Sequence, residues 1–311
     1  VACSEWTPLG TFFSTGLRVG RAAKAAAKRG GDEPRNHREA MAEDKDGWSA
    51  AELKELENHR SNESWTVIDR SEVPRGRRLV RMTWAYKVKR NGTRKARLCV
   101  QGCSQVPGVD YDQTWCSTLR SSTLRLLCAA SSKWGLKMRR WDFVAAYLQG
   151  ELEEGEVVYC SSPPGYEDLS GKGADGQDRV YRIDKPVYGL SQAGRRWQRT
   201  FFPWLLSPEL GFTQSKEDDC VFFKDETVHT PSGPREERLI LGCYVDDLAT
   251  AYSHDDEYSL YAQFVRSLTD RWEVEDEGEI HDLLNVEISR EEDCVVLRQT
   301  AYIEKMVKTY V

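Results

Sequence analysis

The sequence predicts an α+β fold built on a split βαβ unit, an antiparallel sheet with helices on one face. Predicted strands and helices alternate as β-α-β-β-α-β through the core of the chain, which is the order of such a unit. The stretch 239–251 places two adjacent aspartates between two apolar runs, as in a tight hairpin of buried strands. Asn91-Gly92, between two strand-like segments, predicts a second, basic hairpin. We therefore expect a sheet-and-helix core with a basic subdomain inserted.

Length and composition limit the class of protein. The 311 residues suggest two domains or subdomains, at about 150 residues each. No apolar run approaches the about 20 residues of a membrane span. The nine cysteines are scattered without a Cys-x-x-Cys pair, which argues against a zinc site and favours reduced thiols in the cytosol or nucleus. The chain begins with Val1 and shows no secretory signal, so we expect a fragment or processed piece that is not secreted.

The charge distribution is more informative than the net charge of −6. Residues 70–97 contain eleven basic side chains and one acidic side chain, whereas residues 246–293 contain sixteen acidic and three basic ones. A basic segment is usually only a solvated surface, but this one includes Trp84 and Tyr86, which favours contact with nucleic acid or a nucleotide. One region is thus suited to phosphates and the other to cations.

The first half of the chain predicts a linker followed by helix and strands. Residues 1–33 resemble a linker or disordered segment with a short Ala/Lys-rich helix, and residues 34–64 form a helical lead-in. Within that lead-in, Ser49 and Glu52 have the spacing of a capping box inside a helix at 37–60. Strands are predicted at 65–68, 79–88 and 97–100, and a helix at 121–133.

The second half continues the alternation. A strand at 136–144 leads into a helix at 145–152, and two short strands follow at 156–160 and 180–183. A helix at 195–206 should kink or end at Pro203. Further predicted elements are a strand at 215–223, the hairpin at 239–251, a helix at 255–271, strands at 272–275, 283–288 and 295–298, and a helix at 302–310.

Three aspartates are candidates for metal binding. Asp246 and Asp247 repel each other at one turn and stay ionised together only in water or around a cation, although Asp is also a common turn residue. Asp142 lies in an apolar and aromatic run, where a charged side chain is costly to bury unless it is paired or binds a metal. The alternative to metal binding is a structural role for Asp142, at a strand end or as a helix N-cap. Three carboxylates from two strands can hold two divalent cations about 3.5–4 Å apart, as in nucleotidyl transfer.

Five motifs in this order resemble the reverse transcriptase of copia-type LTR retrotransposons, the RNA-dependent DNA polymerase region of the pol polyprotein. The resemblance covers roughly residues 34 to 311. The motifs are Lys95-Ala-Arg-Leu-Cys-Val-Gln-Gly102, Gly108-Val-Asp-Tyr-Asp-Gln-Thr114, Asp142 with Ala146-Tyr-Leu-x-Gly150, Val187-Tyr-Gly-Leu-Ser-Gln-Ala193 and Tyr244-Val-Asp-Asp247.

The resemblance implies a polymerase palm of the ferredoxin- or RRM-like type with a fingers subdomain. Residues 65–140 would form fingers, 141–155 the palm with the first catalytic Asp, and 156–200 fingers and palm; 201–311 would add the palm hairpin and the start of the thumb connection. The implied activity is RNA-directed DNA polymerisation with two Mg²⁺ ions, for which Mn²⁺ could substitute. The implied partners are an RNA template, a DNA primer, the RNA–DNA hybrid, dNTPs and the rest of a Gag-Pol-type polyprotein, in the cytoplasm, a virus-like particle or the nucleus.

The resemblance also assigns residues. Asp142, Asp246 and Asp247 would be catalytic and would bind metal together with the carbonyl of Phe143. A basic hairpin tip can fold over a triphosphate, and Arg97 suits this best because guanidinium makes two-pronged phosphate contacts; these basic residues could instead only line the template groove. The implied nucleotide-binding residues are Lys89, Lys95, Arg97, Tyr147, Tyr188 and Gly189, and the implied template or primer contacts are Gln192, Tyr244 and Val286.

Departures from the family pattern leave two rival functions open. The family usually has Lys where Ser191 stands, Pro where Gly194 stands, Gly where Asn285 stands, and Ala/Ser-Pro-Val in place of residues 116–118. Of these, the departures at Ser191 and Gly194 favour a degenerate, non-catalytic remnant that at most binds nucleic acid, whereas the three intact aspartates and Tyr147 argue against it. A two-metal nuclease is the second rival; it would use similar carboxylates but would not need Tyr147. By family spacing, Tyr147 would exclude the 2′-hydroxyl of a ribonucleotide. Without the resemblance, we would interpret Tyr147 as a core residue.

Overall fold

The computed structural model describes residues 33–88, 92–173, 176–291 and 294–310. This part of the chain is a mixed assembly of helices and sheets, as the sequence predicts. The helices are α1 (His37–Glu43), α2 (Lys45–Ser61), α3 (Ser121–Trp134), α4 (Ala193–Leu205), α5 (Leu260–Arg271) and α6 (Thr300–Tyr310). The strands are β1 (Trp65–Ile68), β2 (Leu79–Val80), β3 (Met82–Val88), β4 (Arg94–Val100), β5 (Lys137–Phe143), β6 (Val158–Cys160), β7 (Val180–Ile183), β8 (Thr213–Gln214), β9 (Val221–Thr230), β10 (Gly233–Tyr244), β11 (Asp247–Tyr252), β12 (Val274–Glu279), β13 (Asp282–Leu283), β14 (Val286–Glu291) and β15 (Cys294–Arg298).

The helical lead-in is two helices, where the sequence predicts one. Asp44 breaks it: its backbone is extended, and its side chain accepts a hydrogen bond from the backbone N–H of Gly47 as the N-cap of α2. The predicted capping box is wrong, because Ser49 lies inside α2. Glu52 is instead fully buried and accepts hydrogen bonds from the hydroxyls of Tyr86 and Tyr166.

Strands β3 and β4 form the basic hairpin that Asn91-Gly92 predicts, in a two-stranded antiparallel sheet. Alternation along the strands divides the side chains between two faces. Ala96, Leu98 and Val100 are buried in the core, whereas the intervening Lys95 and Arg97 are half-buried on the other face. Helix α2 covers the free edge of β4, where buried Glu55 accepts a hydrogen bond from the backbone N–H of Leu98. The turn residues 89–91, and with them Lys89, lie outside the described residues.

The six-stranded sheet has the order β12-β5-β11-β10-β9-β8, and each neighbouring pair is antiparallel. Along the chain, α4 lies between β5 and the β10–β11 hairpin, and α5 lies between β11 and β12. These four strands and two helices follow the sequence β-α-β-β-α-β, which places β5 next to both β11 and β12. The first and last strands of this unit, β5 and β12, are therefore neighbours, and β12 is the edge strand of the sheet.

Two hydrophobic cores support these sheets. One includes the six-stranded sheet with α3, α4 and α5; the other joins α1 and α2 to the β3–β4 hairpin and to the sheet β1-β7-β6-β2. Tyr147 packs against both cores from a 3₁₀ turn at Ala146–Gln149. The helix predicted at 145–152 is only that turn, because Ala145 has a left-handed backbone with φ of 48°.

Several element boundaries also differ from the sequence prediction. The strand predicted at 79–88 is interrupted at Arg81. Of the strand predicted at 215–223, only 221–223 is strand, at the start of β9. Helix α5 begins at Leu260, because Ser259 caps it with a hydrogen bond from the backbone N–H of Ala262. Helix α4 continues through Pro203 and ends two residues later at Leu205. Among the described residues, no helix is both long and apolar enough to cross a membrane.

The segment 187–191 joins the end of β4 at a position where only glycine fits. The N–H of Val100 donates to the carbonyl of Tyr188 at 2.8 Å, and the N–H of Gly102 donates to that of Gly189 at 3.1 Å. Gly189 has φ of +89°, and a Cβ placed there would lie 2.1 Å from the carbonyl oxygen of Val100. The absence of a side chain therefore allows this close backbone approach.

Gly189→Ala should lower the free energy of unfolding by about 3 kcal/mol, because it adds both a left-handed alanine and a backbone clash. Gly171→Ala is the matched control: Gly171 has φ of +69° but nothing within 4 Å of its would-be Cβ. That control should cost only about 1 kcal/mol. Denaturant unfolding measures both values, and equal losses in the two variants would contradict the close-approach argument.

Candidate active site

Strand register brings the three predicted aspartates to one end of the central sheet. Asp142 on β5 is the direct partner of Asp247 on β11, and Asp247 also pairs with Tyr244 on β10. The sequence predicts both adjacent aspartates at the turn, but Val245 and Asp246 form the two-residue turn and Asp247 begins β11. The three carboxylates therefore come from one strand end, one turn and one strand start.

The turn is held by its backbone. Val245 has φ of 55°, a left-handed conformation that a β-branched residue rarely adopts. The indole N–H of Trp197 donates to the carbonyl of Val245 at 2.7 Å, and the N–H of Phe143 donates to that of Asp246 at 2.8 Å. Buried hydrogen bonds to neighbouring elements thus maintain a strained turn, a feature that clusters at functional sites.

Burial and neighbouring carboxylates raise the pKa of Asp142. Burial, together with Asp246 and Asp247 and against a partial offset from Lys95, raises it to about 6. Burial also raises the pKa of Asp247, and the nearby Arg140 guanidinium opposes that increase. Ionisation of Asp142 is therefore unfavourable in these surroundings, and a neighbouring cation would relieve that cost.

Arg140 is a site residue that our sequence prediction missed. Its Nη2 lies 2.7 Å from Oδ1 of Asp247 and its Nε lies 2.9 Å from the same oxygen. Its Nη1 lies 2.7 Å from Oδ1 of Asp282 on β13. Strand alternation could have identified it, because residues two apart on a strand, such as Arg140 and Asp142, lie on one face.

A basic face approaches the carboxylates from the β3–β4 hairpin. Nη2 of Arg97 lies 3.7 Å from Oδ2 of Asp246, and its guanidinium stacks over the ring of Tyr188 at 4.5 Å. The rings of Tyr147 and Tyr188 lie 5.0 Å apart. Lys87 and Lys95 are direct cross-strand partners on the same face as Arg97. The structure therefore brings together Lys95, Arg97, Tyr147 and Tyr188 beside the aspartates.

The fit of a metal to this site depends on its donor atoms. Among the residues that the structure describes, no three His, Cys, Asp or Glu side chains stand close enough to hold a metal ion. Asp247 instead contacts Arg140, and Asp246 faces Arg97. The donor set nevertheless suits Mg²⁺, because carboxylate oxygens are its preferred ligands and a dication would relieve the repulsion among them. The side chain of Phe143 is buried, so only its backbone carbonyl is a candidate ligand. That role stays a prediction.

Two predicted template or primer contacts have buried side chains. Gln192 is fully buried; its Oε1 accepts from Gln105 at 3.1 Å and its Nε2 donates to the carbonyl of Asp110 at 3.3 Å. The side chain of Val286 is also buried, in the core beside Leu283. Motif spacing carries no information about burial, and Val286 also lines the cleft described next. The contacts of these two residues with template or primer stay predictions.

A cleft of about 1200 Å³ leads from the carboxylates across the protein. Tyr244, the remaining predicted contact, lines it together with Asp247 and Arg140. Its other walls come from the β13–β14 hairpin and α6. The turn of that hairpin has positive φ at both Leu284 (53°) and Asn285 (60°), which confirms that Asn285 occupies a position that favours Gly or Asn. The further lining residues include Lys87, Arg120, Tyr302, Lys305 and Tyr310.

Two departures from the family pattern contact each other. A Cβ at Gly194 would lie 2.9 Å from Sγ of Cys116, so the thiol occupies space beside the missing side chain. Ser191 is held by the Gln105 side chain, which accepts a hydrogen bond from its backbone N–H at 2.8 Å, and its hydroxyl donates to the carbonyl of Gly102. These substitutions are therefore accommodated within a packed and hydrogen-bonded loop.

Comparison with known proteins agrees with this geometry. Residues 62–311 match the family described as "Reverse transcriptase (RNA-dependent DNA polymerase)". The chain is 27% identical to the retrovirus-related Pol polyprotein from transposon TNT 1-94 of Nicotiana tabacum, with 89% of this chain and 20% of that protein covered. It is 28% identical to the Pol polyprotein from transposon RE2 of Arabidopsis thaliana, with 87% and 17% covered. The transposon Ty1-BR Gag-Pol polyprotein of Saccharomyces cerevisiae is 23% identical, with 79% and 13% covered.

The chain thus spans a fifth or less of the length of these relatives. The family match covers well over half of the chain and includes all three aspartates and the basic strand β4. The chain therefore belongs to the reverse transcriptase family, which confirms the copia-type resemblance predicted from its motifs.

Proposed function

We propose that the chain is an RNA-directed DNA polymerase that adds dNTPs to the 3′-hydroxyl of a primer. The observation that carries the proposal is the register that pairs Asp142 with Asp247 and places Asp246 in the adjoining turn, opposite the basic face of β3–β4. Family membership supports the same reaction. Carboxylates and guanidinium groups at one site match the opposite charges of cations and a triphosphate.

Asp142, Asp246 and Asp247 would hold Mg²⁺ or Mn²⁺, with the carbonyl of Phe143 as a further ligand. Bound cations would lower the pKa of the primer hydroxyl and neutralise charge on the triphosphate and pyrophosphate. Arg97 and Lys95 bind the triphosphate, for which Arg97 leaves its 3.7 Å contact with Asp246. The chain's contribution is positioning and electrostatic stabilisation.

The two cores correspond to palm and fingers in this proposal. The six-stranded sheet with its β-α-β-β-α-β order is the palm, and the core of α2, β3–β4 and β1-β7-β6-β2 is the fingers. Residues 65–140 and 156–200 both contribute to the fingers, since β1 pairs with β7. Leu119, Leu124 and Leu127 pack in the palm core, so the boundary is better drawn near residue 119 than at 140.

The cleft beside Asp247 is the proposed path of the RNA template, the DNA primer and their hybrid. Lys87, Arg120 and Lys305 on its walls supply positive charge for phosphates, and the hybrid would be gripped through its backbone and shape. Tyr188 and Gly189 lie beside the incoming nucleotide. The remainder of a Gag-Pol-type polyprotein is the proposed covalent partner, in the cytoplasm, a virus-like particle or the nucleus.

A non-catalytic remnant that binds nucleic acid is the second candidate. The observation that favours it is that Asp247 is held by Arg140 and no metal-binding group is formed in the described part of the chain. The packed contact of Cys116 with Gly194 favours the enzyme instead, because it shows a loop that stays well packed despite its substitutions.

Asp142→Asn, and the double variant Asp246→Asn with Asp247→Asn, should each reduce primer extension by at least about a thousandfold, because cation ligands are lost. The assay uses a primed RNA template, dNTPs and Mg²⁺. Asp276→Asn is the control, since Asp276 pairs with Arg139 on the same sheet and should leave extension unchanged. Salt-sensitive hybrid binding without extension by the unmodified chain would favour the second candidate.

Tyr147→Ala should increase incorporation of ribonucleotides relative to deoxynucleotides by about tenfold or more, because the ring beside Tyr188 would exclude a 2′-hydroxyl. Tyr147→Phe keeps the ring and should keep the discrimination. Single-nucleotide extension with dNTPs and rNTPs measures the ratio. An unchanged ratio in Tyr147→Ala would mean that this residue only packs between the two cores and does not exclude ribonucleotides.

The contribution of Asp142 to the stability of the metal-free chain should fall as the pH rises from about 4 to 6. The pKa of Asp142 is about 6 in the folded chain and 3.8 without its surroundings, so the folded state binds the proton more tightly. The stabilisation is complete below the lower value and is lost as the pH rises through the higher one. The difference in free energy of unfolding between the unmodified chain and Asp142→Asn, measured with denaturant in EDTA, isolates this contribution. A difference that stays constant between about pH 4 and 6 would contradict the assignment.

A further inference from the structure

Arg140 lies inside the carboxylate site, but the proposed chemistry does not use it. Both of its nitrogen contacts to Asp247 fall on Oδ1, and its third nitrogen contacts Asp282. The side chains of Arg140 and Asp247 are only 22% and 18% exposed, so the ion pair is partly shielded from water. A shielded, two-pronged pair is stronger than an ordinary surface pair.

The preceding residue provides an internal contrast. Arg139 alternates to the other face of β5 and pairs with Asp276 at 2.7 Å, where both side chains are 37% exposed. Arg139 and Arg140 are therefore adjacent residues of the same type, each paired with an aspartate, and only Arg140 contacts a proposed metal ligand. The two positions can be compared directly.

A guanidinium and a small dication compete for the Oδ1 atom of Asp247. The two cations repel each other at short range, and each would take the same lone pairs. Asp282 offers the guanidinium another acceptor, because its carboxylate and its backbone carbonyl already contact Nη1 at 2.7 and 3.2 Å. The arginine can therefore lose one partner and remain paired.

We propose that Arg140 is a positioning residue that competes with divalent cations for Oδ1 of Asp247, and that Asp282 retains the guanidinium when a cation binds. The inference rests on the proposed function, which assigns Asp247 to cation binding. Arg140 thereby sets the cation concentration at which the site fills. It also links the catalytic carboxylate to the β13–β14 hairpin, since Asp282 pairs with Glu287 across that hairpin.

The test is a titration of the complete chain with Mn²⁺, with free Mn²⁺ followed by electron paramagnetic resonance. Arg140→Gln should tighten Mn²⁺ binding about tenfold, because the competing charge is removed. Arg139→Gln is the matched control and should change it by less than about twofold, since its charge lies on the other face and is more exposed. Unfolding temperature with and without Mn²⁺ is a second measurement, and the increase should be larger in Arg140→Gln.

Asp282→Asn distinguishes competition from a general charge effect. With Arg140 present, the variant should weaken Mn²⁺ binding several-fold, because Asp247 becomes the only carboxylate that the guanidinium contacts and position 282 offers it only neutral oxygens. In the Arg140→Gln background the same change should have little effect, so the two substitutions should be strongly coupled. If Arg140→Gln does not fold, the Asp282→Asn single variant still decides: unchanged or tighter binding overturns the proposal.

Failure of this inference is separable from failure of the proposed function. In one outcome, the unmodified chain binds Mn²⁺, Asp142→Asn weakens that binding, and Arg140→Gln does not tighten it. This outcome would overturn the role of Arg140 and leave the polymerase proposal intact. Equal tightening in Arg139→Gln and Arg140→Gln would also overturn it. No specific Mn²⁺ binding by the unmodified chain would overturn both.

Discussion

The pairing of Asp142 with Asp247 across β5 and β11 is the constraint on which the site depends. Register places two carboxylates side by side, and the two-residue turn adds a third. Such a group is unfavourable without opposite charge, as the raised pKa of Asp142 reflects. Arg140 on the same strand and Arg97 on the basic hairpin supply that charge in the metal-free chain. The surrounding backbone contacts then keep the turn in its strained conformation.

The central arrangement could be predicted from sequence because it depends on local patterns. Apolar runs around the aspartates predict paired strands, and alternation along β4 separates Lys95 and Arg97 from the buried Leu98. The break at Asp44 could not be predicted in this way, because a partner distant in sequence, Arg94 at 2.6 Å, holds that cap. The false capping box has the same origin, since Glu52 is used by tertiary contacts.

The burial of Gln192 and Val286 could not be predicted for another reason. A motif identifies which residue types recur near a site, but it does not separate the residues that touch a ligand from those that support the backbone. Gln192 lies in the predicted motif and is fully buried, with both ends of its amide engaged. Arg140 shows the converse, since it lies two residues before Asp142 outside the motif and still contacts the site. Burial is a tertiary property that spacing cannot supply.

The contact between the two cores explains how the basic hairpin can bind a nucleotide. Arg97 reaches from β4 to Asp246 at 3.7 Å, but the two side chains are 37% and 31% exposed, so water weakens this pair. The stacking of the guanidinium on Tyr188 and the tilted contact between the rings of Tyr188 and Tyr147 are independent of that carboxylate. Arg97 can therefore exchange Asp246 for a phosphate while its aromatic support stays in place. In the proposed polymerase, the aromatic contacts position the guanidinium and the weak ion pair keeps it available.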